Sequence, residues 1–69
     1  MKLVTAATQA VSLEVVENGK HTVRTLPVGS KVIVEKETEG LQQLKKLGLI
    51  KIREATPIEA VKLEKIICL

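Results

Sequence analysis

The sequence predicts a small α+β domain that is mainly β: an antiparallel sheet or partly open barrel with one helix over about residues 38–47. Three observations predict it. Apolar and polar residues alternate at Val11-Ser12-Leu13-Glu14-Val15, the period of a half-buried strand. Glu17-Asn18-Gly19-Lys20 supplies a turn, and His21 to Thr25 supplies a returning strand. Between Thr38 and Gly48 the period lengthens, placing Leu41, Leu44 and Leu47 on one helical face. With 69 residues, the chain has room for a single domain, 1–69.

Taken in order, Lys2-Leu3-Val4-Thr5 is a strand or an extended arm, and small residues follow to Ala10, so 1–10 forms an extended N-terminal segment. Register decides the next turn. A two-residue Asn-Gly loop sets Leu13 opposite Arg24 and Glu14 opposite Val23, which mixes the faces. A three-residue loop with Gly19 left-handed in a bulge pairs Val16 with Lys20. It keeps Val11, Leu13 and Val15 against Thr25, Val23 and His21. Burial specifies register, so the bulged hairpin is expected. Leu26-Pro27-Val28-Gly29 fits a type I turn with Pro second and Gly fourth, and Lys31 to Glu35 is the third strand. Thr38 caps the helix, Lys45 and Lys46 occupy its last turn where the dipole favours cations, and Gly48 stops it. Leu49 to Arg53 is a strand. Thr56-Pro57-Ile58-Glu59 carries the capping box and first-turn proline of a helix start. Beyond it a helix is apolar nearly all round, whereas a strand puts Val61, Leu63, Ile67 and Leu69 on one face. One helical turn at 57–60 and an extended segment over 61–69 are therefore expected.

Composition narrows the chemistry. Apolar residues make up 45% and charged ones 28%, a globular balance. Phe, Trp, Tyr and Asp are absent, while Val, Leu and Ile number nine, nine and six, so the core is aliphatic. The longest apolar run, Ile66-Ile67-Cys68-Leu69, is too short for a membrane helix, and no apolar leader follows Lys2. The expected setting is the cytoplasm, without a membrane partner. The formal charge is +3, with signs interspersed and Lys45-Lys46 the only basic pair. Lacking a basic stripe or stacking aromatics, the chain is expected to bind nucleic acid at most weakly and nonspecifically. Lys20, Arg24, Lys45, Lys46, Lys51 and Arg53 are the candidate polyanion contacts.

Catalytic, cofactor-binding and metal-ligating sets are not expected. His21 is the sole base titrating near neutrality, and Ser12, Ser30 and Cys68 stand at no spacing that makes one of them its nucleophile. One His, one Cys and no Asp are poor material for a metal cage. Gly19 and Gly29 belong to turns and to no phosphate loop. Ile66, not a cysteine, stands fourth from the end, which excludes prenylation of Cys68. Cys68 reads as a small buried hydrophobe, with a thiol that cross-links subunits as the alternative.

Leu41 to Lys51 resembles the end of a winged-helix recognition helix and the strand after it, but that family places helices where this sequence places strands. A broader resemblance rests on Leu26-Pro27-Val28-Gly29-Ser30-Lys31-Val32-Ile33-Val34, then Leu41 to Leu47, then Gly48-Leu49-Ile50-Lys51-Ile52. This succession of turn, strand, Gly-stopped helix and strand is similar to small virion accessory proteins of tailed bacteriophages: capsid decoration, neck or tail-associated pieces. The resemblance implies a non-enzymatic role without cofactor in a homo-oligomer or larger symmetric assembly, and a place in a virion put together in the host cytoplasm. Apolar ends suit a subunit that adds strands to a neighbour. Leu3, Val4, Val61, Leu63, Ile66, Ile67 and Leu69 are the candidate partner contacts. The alternative is a small SH3-like binding module that engages protein or nucleic acid through its scattered Lys and Arg.

Overall fold

A computed structural model describes residues 1–68. Its strands are β1 (Lys2–Ala6), β2 (Val11–Glu17), β3 (Lys20–Leu26), β4 (Lys31–Val34), β5 (Ile50–Glu54) and β6 (Lys65–Ile66). Two helices, α1 (Glu39–Lys46) and α2 (Pro57–Lys62), flank β5 in the chain. The expected fold class is the observed one, a small, mainly β α+β domain, with α2 as a second helix. One sheet has the order β5-β1-β4-β6, and the β2-β3 hairpin forms the other. β1 is antiparallel to both β4 and β5, and β6 runs parallel to β4. The extended chain after β6 joins the two sheets. Val16 N–H donates to the Ile67 carbonyl at 2.9 Å, and Val15 bridges to Cys68. The sheets thus curl toward a barrel that stays open, with β5 and β3 as its edges.

Period-2 alternation separates the faces of β1. Val4 and Ala6 join Val32, Val34, Ile50 and Ile66 on the core side, where Leu41 of α1 and the hairpin residues Val11, Leu13, Val15 and Leu26 cover them. Leu3 and Ile33 pair with each other on the opposite face and are also buried. Because β5 and β6 lie at opposite edges of their sheet and run the same way, the α2 connection has to cross this second face. β1 is therefore an inner strand under cover on both sides, and not a free arm.

Two turns differ from expectation. The hairpin has a two-residue loop, with Asn18 at φ 51° and Gly19 at φ 76°, so Glu17 pairs with Lys20 and Leu13 with Arg24. Both central residues lie at positive φ, the type I′ geometry whose twist matches the strands. The mixed face is tolerable because Arg24, toward the open end of the hairpin, finds carboxylate partners. Its guanidinium reaches Glu17 at 2.7 Å and also bonds Glu64, while its stem stays on the sheet. The next turn is Pro27–Ser30, one residue later than expected. Ser30 N–H donates to the Pro27 carbonyl at 3.0 Å, and Gly29 at φ 86° occupies the third position, which makes the turn type II.

The first helix starts and stops where its signals place it, but of its expected apolar face Leu41 is buried, Leu44 half-buried and Leu47, the C-cap, 71% exposed. Thr38 Oγ1 accepts from Leu41 N–H, and Lys45 and Lys46 fill the last turn. Past Glu54 the helical turn expected at 57–60 runs on to Lys62, and among the described residues after it β pairing is confined to 65–66 and the bridge at 68.

Candidate docking surface

α2 carries Val61, the most exposed large apolar side chain of the described residues, and local chemistry explains why the helix forms. Thr56 Oγ1 accepts from Glu59 N–H at 3.2 Å, and Glu59 Oε1 accepts in return from Thr56 N–H at 3.0 Å. Pro57 follows the cap and has no N–H to leave unpaired. Arg53, on the adjoining strand, then grips both Glu59 oxygens at 2.8 and 2.5 Å. That guanidinium, helped by the Thr56 backbone, holds the Glu59 carboxyl down to about 2 from its ordinary 4.5. The helix is thus fastened by its cap and one ion pair, and none of its residues is fully buried.

What this leaves outside is a small apolar face. Ile58 is 67% and Val61 85% exposed, and with Pro57 and Lys62 they line a shallow hollow. They stand at i and i+3, one above the other on the helix surface. Val61 is therefore exposed as expected, but on a helix and not on a strand.

The other candidate contacts divide. Leu3, Val4 and Ile66 are buried in the sheets and cannot meet a partner without opening them. Leu63 is half-buried at the end of α2, and Ile67 keeps an exposed side chain while its carbonyl is used by Val16. Leu69 lies outside the described residues. Cys68 is half-buried against the core at a cavity of about 150 Å³ between the hairpin and α1, lined also by Leu13, Leu41 and Leu44. Burial pushes its thiol up from the ordinary value, away from the thiolate.

The candidate cations converge only in part: Lys45 at the end of α1 shares one groove with Lys51 and Arg53 of β5, while Lys20 and Arg24 are on the hairpin and Lys46 does not line that groove. Arg24 and Arg53 are committed to carboxylates, and Lys45 lies 4.0 Å from Glu37. His21 is exposed opposite Val16 and shares a shallow hollow with Glu14, Thr22 and Val23. Among the described residues, no cluster of three His, Cys, Asp or Glu side chains has the spacing of a metal site, and no helix is long and apolar enough to cross a membrane. The α2 face could not be located from the sequence because the apolar residues between Ile58 and Leu69 fit strand and helix periods alike. The capping box was the available signal.

In comparisons with known proteins, the chain matches no family model, no curated protein and no solved structure.

Proposed function

We propose that this chain is a non-catalytic assembly protein, a small subunit that docks onto copies of itself through the apolar face of α2. The single observation that carries the reading is the pair Ile58 and Val61, held outward at 67% and 85% exposure on a helix that buries no residue fully. A six-residue helix is too short to persist by propensity alone, and an apolar stripe on its outer side is stabilised by a covering surface. The resemblance to tailed-phage virion accessory proteins points the same way, to a role within a symmetric assembly.

Sedimentation of the purified chain over a range of concentrations tests it. The expected mass rises well above the 7.5 kDa of one chain as concentration increases, and Ile58→Lys with Val61→Lys returns it to that value without loss of strand signal. A monomer at every concentration overturns the reading.

A further inference from the structure

The strand β5 is a sheet edge whose outward hydrogen-bonding groups can be identified. Ala55 N–H donates to the Met1 carbonyl at 3.1 Å, and Ala7 N–H donates to the Leu49 carbonyl at 2.9 Å. Bonded and non-bonded pairs alternate along an antiparallel ladder. Between those ends, Leu3/Arg53 and Thr5/Lys51 are therefore the bonded pairs. The N–H and C=O groups of Ile50, Ile52 and Glu54 point away from β1. Of these, the Glu54 carbonyl accepts from Arg53 Nη1 at 3.1 Å, while those of Ile50 and Ile52 have no partner among the described residues.

The side chains beside this edge define what would fit it. Ile50 and Ile52 belong to the core face, and Lys51 and Arg53 to the opposite one, where Lys31 lies across Thr5. A groove follows the strand, lined by Lys45, Lys51, Ile52 and Arg53. Three carboxylates bear on it: Glu59 holds Arg53, Glu37 lies 4.0 Å from Lys45, and Glu54 holds Lys2 on the core side. Lys51 and Lys31 have no carboxylate within 4 Å among the described residues.

A second copy is a poor occupant. If two β5 strands paired antiparallel through their outward groups, the registers that use Ile52 would set Lys51 opposite Arg53, Lys51 opposite Lys51, or Arg53 opposite Arg53. Like charges directly opposite destabilise a strand pair. The chain's own alternating acids, Glu35, Glu37 and Glu39, lie in the bend before α1 and in its first turn, and form no strand.

We infer that the open edge of β5 takes up an extended acidic segment of another protein as an added strand, with a carboxylate over Lys51 and a neighbouring apolar residue against Ile52. This is strand addition, in which backbone bonds supply affinity and alternate side chains supply selectivity. The inference names a second kind of partner for the assembly role and rests on that reading only for there being a protein partner.

The test titrates the full chain into a fluorescein-labelled peptide of about eight residues that alternates Glu and Val. Saturable binding is expected, weakened about fivefold or more by Lys51→Glu in a chain of unchanged circular dichroism. The same peptide N-methylated at alternate residues is expected not to bind. No saturation at about millimolar peptide overturns the inference. So does equal binding of the N-methylated form, or a short oligothymidylate that binds as well as the peptide with the same dependence on Lys51. Assembly of the chain without peptide binding removes the β5 partner and leaves the α2 reading intact. Peptide binding by a chain that never assembles removes the α2 reading and leaves this one.

Discussion

Gly19 takes φ 76° next to Asn18 at 51°, and a Cβ built on it meets no atom within 4 Å. Its requirement is conformational, not steric. Gly19→Val forces a β-branched residue into the left-handed region at a cost of about 1–2 kcal/mol. Each kcal/mol lowers the melting temperature of a domain this size by about 4–8 °C, which calorimetry or thermal circular dichroism will register. The same turn shows where residue-level reading stopped short. Asn18-Gly19 is the strongest short hairpin signal, yet the apparent mixing of Leu13 with Arg24 argued against its two-residue loop. Arg24 is accommodated by Glu17 and by Glu64, and Glu64 is 40 residues away in sequence. An ion pair across that distance leaves no local pattern. The acceptance of a cation on the inner face was therefore not legible.

Among the elements, the ends of α1 were legible nearly to the residue because cap, dipole and terminal glycine agree, while the apolar spacing placed Leu47 on the inner face and it is exposed. α2 was half legible. Its capping box fixed where it starts, while Ile58 to Leu69 carries too many apolar residues for any period to fix where it ends. Its fastening also gives a pH dependence. The Glu59 carboxyl titrates at about 2 when folded against an ordinary 4.5. A depressed folded value means that the stabilisation is present above pH 4.5 and is lost as pH falls through about 2. Urea midpoints measured from neutrality to pH 2 are expected to fall across that window. Glu59→Gln, which keeps a capping amide, is expected to be less stable than the native chain at neutral pH and to converge with it at the acid end. The Glu54 carboxyl, also lowered by its bond with Lys2, adds a fall of the same sign in both proteins.

For the molecule as a whole, the absence of aromatic rings places the burden on few aliphatic contacts. Leu41 is 1% exposed and packs where α1 meets both sheets, beside the cavity that Cys68 also lines. Leu41→Ala enlarges that space and is expected to cost about 2–5 kcal/mol, a large part of a small domain's total. Leu47→Ala, at the 71% exposed C-cap of the same helix, is expected to shift the urea midpoint little. The fold class was readable because it follows from strand and helix periods. The order β5-β1-β4-β6 was not, since pairing β1 between β4 and β5 depends on contacts far apart in sequence.

The ribbon from Lys65 to Cys68 is hydrogen-bonded to β4 on one side and β2 on the other, and among the described residues it makes the backbone joint between the two sheets. A thermal fluctuation that unlatches this stretch lets water reach the interior from both halves at once. The hairpin would then swing as a loose flap on its loops. How long the molecule stays shut is accordingly governed by its narrowest seam and not by its broadest sheet.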